Sequence, residues 1–267
     1  MLTLFRWLAR WPLWLLHAVG AWLGWLTFWA SPSYRARFRA NVSQAGISPA
    51  DARPAVAHAG RMLMELPFLW LRPAGAPIRP PLEWQGEALL TEALQRGKGI
   101  VLLTPHMGSF EVTAQACAQS FAATHGPITV LFRPARKAWV RALMLGARER
   151  PGVATAPATL AGVRQMIRAL RRGEAVGLLP DQVPPDGMGV WVPFFGKPAY
   201  TLPLAARLVQ QTGATPLLIW GERLPHGAGF RVRVSVLPEA LPAHDPTQAE
   251  SAAVINRAMA QIGRAHV

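Results

Sequence analysis

From Trp11 to Tyr34 the chain carries no Asp, Glu, Lys or Arg. At about 1.5 Å per residue, a helix over that run is long enough to cross a hydrocarbon core of roughly 30 Å. Arg6 and Arg10 stand before it, and Arg35, Arg37 and Arg39 follow it. The run is too long for the apolar region of a secretory signal, and no small-residue cleavage site follows it cleanly. The expectation is a retained N-terminal membrane-anchoring helix within residues 1–39 and a globular domain over 40–267. Three arginines after the span against two before it favour a globular part in the cytoplasm. A core helix, or one lying in the membrane interface, is the alternative.

Trp7, Trp11, Trp14, Trp22, Trp25 and Trp29 step by 4, 3, 8, 3 and 4 residues. At about 100° per residue they fall within an arc of roughly 80°. An aromatic belt puts tryptophan at the two water interfaces, yet Trp22 sits well inside the run. Packing in lipid or core explains such a face. The sharper expectation is that it docks against the globular domain or flanks a lipid.

With 51% apolar and 16% charged residues, the chain has the composition of a folded domain. A single cysteine, Cys117, excludes a disulfide framework and a cysteine-rich metal site. The formal net charge of +14 calls for an anionic partner: nucleic acid, acidic lipid or an acidic carrier protein. Its arginines are scattered rather than striped and no nucleic-acid motif is present, so nucleic acid is not expected.

Residues 50–71 have a helical pattern, and Arg72–Pro81, with four prolines and one glycine, is a connector. Short apolar runs then alternate with helical stretches. The runs are Gly99–Thr104, Ile128–Phe132, Ala175–Leu179, Thr215–Trp220 and the alternating Phe230–Val236. Helices are expected over Ser109–Thr124, Lys137–Arg148, Thr159–Arg172, Leu202–Thr212 and Pro246–Ile262. The fold class is α/β, with a mostly parallel central sheet flanked by helices. In such sheets ligands sit beyond the carboxyl ends of the strands.

There, after GIVLLT, the chain reads Pro105-His106-Met107-Gly108-Ser109-Phe110-Glu111. His106 follows a strand, and Glu111 in the next helix can fold back toward the imidazole. A carboxylate on one ring nitrogen fixes the tautomer and leaves the other nitrogen to take a proton. N–H groups around Gly108 and Ser109, at a helix start, can stabilise an oxyanion. By spacing alone, a capping Ser109 with an incidental histidine explains the same string. The G-x-S-x-G elbow, the phosphate-binding G-x-x-x-x-G-K-[ST] loop and H-E-x-x-H are absent. Cys117 fits packing, and His17, His58, His125, His226, His244 and His266 have no recognisable partners.

TPHMGSFE, LFRPARKAWV, GLLPDQVPPDGMGVWVPFFGKPAYT and LAARLVQQTGATPLL, in that order, resemble the bacterial lipid A biosynthesis (lauroyl/myristoyl) acyltransferases. Those belong to the wider H-x4-D/E lysophospholipid acyltransferase group, whose glycerolipid members carry an F-P-E-G-type block where this chain has LPDQ. The resemblance runs from the N-terminal anchor to about Trp220; the aromatic, basic C-terminal segment of the lipid A enzymes is missing.

The resemblance implies a glycerolipid-acyltransferase-like fold. It also implies transfer of a fatty acyl chain from acyl carrier protein, or from coenzyme A, to a hydroxyl of a lipid A precursor at the inner membrane. It implies His106 as general base with Glu111 as its acid, and Arg133 on substrate phosphate or the reacting acyl group. Asp181 and Gln182 would orient substrate or hold Arg133. Phe194, Phe195 and Gly196 would shape a loop over the acyl chain, and Thr201 would cap the next helix. No metal or cofactor is implied, because a thioester is already activated. Other acceptors, namely a lysophospholipid, a glycolipid or an ornithine-type lipid, are alternatives. So is a non-enzymatic, membrane-anchored basic binding protein.

Overall fold

The computed structural model describes residues 2–73, 75–79, 82–132 and 150–265. Short β1 (Leu82–Gln85) and α5 (Glu87–Gln95) precede β2 (Ile100–Leu103) and α6 (Phe110–His125). β3 (Ile128–Phe132) and β4 (Val153–Pro157) come next, then α7 (Leu160–Arg171) and β5 (Ala175–Leu178). A hairpin of β6 (Val190–Phe194) and β7 (Lys197–Thr201) follows. The chain continues with α8 (Leu204–Thr212), β8 (Thr215–Arg223), a short 3₁₀ turn, β9 (Phe230–Val236) and α9 (Ala249–Ala265).

Seven strands form one sheet in the order β1-β9-β8-β2-β5-β3-β4. All neighbours are parallel except β8 and β9, which are antiparallel. β2 lies in the middle and is buried on both faces, so its four residues are all apolar. Its alternate side chains serve different cores. Ile100 and Leu102 pack with Leu69, Trp70, α5 and α6, while Val101 and Leu103 pack with α7, α8 and α9.

The N-terminal run is not one helix. Pro12 ends α1 (Leu2–Leu8) and starts α2 (Leu13–Ala30); Pro32 at the first position of α3 (Pro32–Ala45) closes it. Proline lacks an N–H and suits the start of a helix, and the uncharged stretch breaks at both prolines. Arg35 donates to the carbonyls of Phe28 and Trp29 and so caps α2. α2 is the one described helix long and apolar enough to cross a membrane. It packs antiparallel along α4 (Pro49–Trp70). Gly20, Gly24 and Gly60 make this possible: a Cβ on Gly60 would strike the Gly20 carbonyl, and one on Gly24 the Val56 carbonyl. That seam is opposite the tryptophans. Trp14, Trp22 and Trp29 are 57%, 63% and 66% exposed, so these three rings do not dock on the globular part, while Trp25 is half-buried under Arg53 of α4. The expected helix over Lys137–Arg148 lies outside the described residues.

Candidate active site

β2 and β5 are parallel neighbours with Leu103 opposite Leu178. His106 and Asp181 stand equally far beyond those partners, and this equal offset brings them together at the carboxyl edge of the sheet. The Thr104 N–H still donates to Leu178 O at 3.0 Å; Pro105 then turns the chain outward. The His106 main-chain N–H donates to Asp181 Oδ2 at 2.8 Å, and ring Nδ1 lies 2.7 Å from Asp181 Oδ1. A carboxylate only accepts, so Nδ1 carries the proton and Nε2 presents its lone pair. Gln182 Nε2 meets that lone pair at 3.0 Å. The imidazole and carboxyl side chains are 32% and 19% exposed, so Nε2 is within reach of a reactant. The Phe110 ring flanks the imidazole at 5.0 Å between centroids.

The sequence pointed to Glu111 as the acid on this ring; the carboxylate meeting Nδ1 is Asp181. Glu111 Oε2 instead accepts from the Trp70 indole at 3.1 Å. In the first turn of α6, Glu111 helps line a cleft between that helix and the sheet, whose walls include Leu102, Phe110, Val130, Leu178 and Ile219. The cleft is chiefly apolar and reaches Gly177 on β5.

The loop N–H groups divide into committed and available ones. Those of His106, Met107 and Ser109 are spent on Asp181, on Pro105 O and on Gly221 O (the last at 2.8 Å). Ser109 is therefore not an oxyanion donor, and its hydroxyl caps nothing. The N–H groups of Gly108 and Phe110 make no hydrogen bond among the described residues. Gly108 sits at φ +60°, and a Cβ there would collide with Gly221 O. Only glycine permits this approach.

The same loop is pinned from below. Arg223, at the end of β8, donates from Nη2 to Gly108 O at 2.6 Å. Its Nε and Nη2 also bind the two oxygens of Glu65 at 2.6 and 2.7 Å. His17 of α2 completes the cluster, with Nε2 3.1 Å from Glu65 Oε2. His17, unpartnered in the sequence, thus connects α2 to the loop that carries His106. Nothing local announces this; the three residues meet only through the fold. Nearby His58 is pushed down to about 4, first by burial and then by the Arg223 and Arg61 charges.

Other expectations fare differently. Phe195 and Gly196, both at positive φ, make the two-residue turn of the β6–β7 hairpin. Phe194 packs into the core beside α7, α8 and α9, and Phe195 touches Gly263 of α9, so neither lines the cleft. Thr201 does not cap α8; it accepts from Asn256 Nδ2 at 2.8 Å and ties the hairpin to α9. Burial pushes the Cys117 thiol up to about 12, which suits a packing role. Arg133 lies outside the described residues.

Fold and site together define an α/β protein with a histidine–carboxylate pair at the carboxyl end of its central strands, above an apolar cleft. A family model described as bacterial lipid A biosynthesis acyltransferase matches residues 2–266, and the chain belongs to that family. The match takes in the C-terminal helix as well as the four blocks. No curated protein matches the chain. Family membership makes an acyltransferase the class of enzyme concerned.

Proposed function

We propose that this protein, anchored to the inner membrane with its site facing the cytoplasm, moves a fatty acyl chain from acyl carrier protein to a hydroxyl of a lipid A precursor. His106 is the general base. Its Nε2 exchanges the Gln182 contact for the acceptor hydroxyl and takes that proton as the oxygen attacks the thioester carbonyl. Asp181 stabilises the imidazolium that forms, and the N–H groups of Gly108 and Phe110 face the developing oxyanion. Collapse expels the thiolate, which recovers the proton from Nε2. The acyl chain occupies the cleft beneath α6, with Glu111, held by the Trp70 indole, at its mouth.

The observation that carries this reading is the orientation of His106: Nδ1 held by Asp181 and Nε2 turned outward beside an apolar cleft. The net charge of +14 suits both an acidic carrier protein and a phosphorylated lipid. Acyl-carrier-protein thioester and lipid A precursor are the substrates for the test, with product read by mass spectrometry. His106→Ala should lower turnover by at least about 10²-fold in a folded protein, as loss of a general base does. Near-normal turnover would reject the role. Lipid from a deletion strain should lack one acyl chain on lipid A; a deficit confined to phospholipid would move the acceptor to another lipid class.

A further inference from the structure

The chemistry at His106 leaves the outward face of α2 unused. One side of this helix is taken by α4 along its length: His17 meets Glu65, Gly20 meets Gly60, and Gly24 meets Val56. The other side carries Trp14, Trp22, Leu26 and Trp29 into solvent. A helix that is apolar all round needs a cover for both sides, and the protein supplies only one.

We propose that α2 does not cross the bilayer but lies in its plane, with the tryptophan face seated at the headgroup–acyl boundary of an anionic membrane. This rests on the membrane-bound reading above and specifies its geometry. Three observations carry it. First, α4 bears Asp51, Arg53, His58, Arg61 and Glu65, so a spanning α2 would draw a charged companion to bilayer depth, where charge is expensive. Second, the tryptophans do not mark two water interfaces separated by an aliphatic middle. They recur from Trp14 to Trp29, as they would if the whole helix lay at one interface. Third, exposed cations flank α2 in the sequence and another stacks on its aromatic face. Arg10, Arg37 and Arg39 are exposed, and the Arg53 guanidinium stacks 5.4 Å above the Trp25 ring.

The placement serves the site. The Trp14 backbone lies against Gly227 in the turn after β8, at the same sheet edge as Arg223 and His106. Seating α2 brings that edge to the membrane surface, where a lipid hydroxyl is found.

Topology tests the proposal. The chain's one cysteine, Cys117, is buried and its thiol is pushed up to about 12, so it stays silent to maleimide. Full-length Thr3→Cys and Gln211→Cys proteins would be treated with an impermeant maleimide in sealed inside-out inner-membrane vesicles. Both should label without detergent, because helix and domain share one side. Labelling of Thr3→Cys only after detergent, with Gln211→Cys labelled before, would overturn the proposal. Trp22→Glu with Trp29→Glu, folded by circular dichroism, should weaken sedimentation with anionic vesicles by at least about ten-fold; unchanged retention would overturn it too. Neither readout needs turnover. A protein that labels as expected yet transfers no acyl group would reject the catalytic reading and leave the in-plane helix standing.

Discussion

Two histidine–carboxylate pairs occur among the described residues, and their surroundings are opposite. In His17–Glu65 the side chains are 8% and 1% exposed, and the carboxylate is already held by the Arg223 guanidinium. In His106–Asp181 both partners reach solvent, and among the described residues the carboxylate holds a main-chain N–H and the ring. A carboxylate with a fixed cation on it is a counter-ion and responds weakly to protonation of its histidine. One without a fixed cation is stabilised by exactly that event's charge and can steady a transient imidazolium. Pairing alone therefore does not identify a catalytic histidine. What else the carboxylate binds, and whether the far ring nitrogen is reachable, does.

The largest effect should follow from breaking the exposed pair. Asp181→Asn keeps the size and an acceptor for the His106 main-chain N–H but loses the charge facing Nδ1. Turnover should fall by about 10²–10⁴-fold, the range expected of a general base, while circular dichroism is unchanged. Glu111→Gln should cost less, through the cleft mouth and Trp70. Reversal of that order in steady-state assays would return the acid's role to Glu111.

Breaking the buried pair should cost stability first. Arg223→Met takes the guanidinium from Glu65 and leaves it His17 alone, a change worth about 3–5 kcal/mol in urea unfolding when one partner of a buried pair is lost. It also frees Gly108 O, so turnover per folded molecule should fall. Removing both charges, with Glu65→Leu added, should recover much of the stability but not the hold on Gly108. A single variant costing under about 1 kcal/mol, the scale of a surface pair, would erase the distinction between the two sites.

The difference between the pairs also explains what was legible in the sequence. The strands over Ile128–Phe132 and Phe230–Val236 and the helix over residues 50–71 follow from local apolar period, and the structure has them within a residue or two. β1, α5, β4 and the β6–β7 hairpin are short or proline-interrupted, and period does not announce them. His106 was visible because a turn after a buried strand is where such folds place chemistry. Its partner was not, because Glu111 is near in sequence whereas Asp181 becomes near only once β5 lies beside β2. The cluster of His17, Glu65 and Arg223 joins three distant elements, and no local signal could have assembled it.

The smallest effect sharpens the buried side of the comparison. His58 stands beside the cluster, with Arg61 Nη1 3.4 Å from its Nε2. Burial, then Arg223, Arg61 and His17, lower it from 6.5 to about 4, and only Glu65 opposes them. A base depressed in the folded state takes its proton in the unfolded chain first. Its contribution to stability is therefore unaffected above about pH 6.5, declines as pH falls toward 4, and levels off below that. His58→Gln should flatten this part of the stability–pH curve in urea titrations while leaving stability at pH 7.5 nearly unchanged. An equal slope in both proteins would mean that the cationic field of the cluster does not reach His58. The buried carboxylate would then be absorbing more of the arginine charge than the geometry of two hydrogen bonds implies.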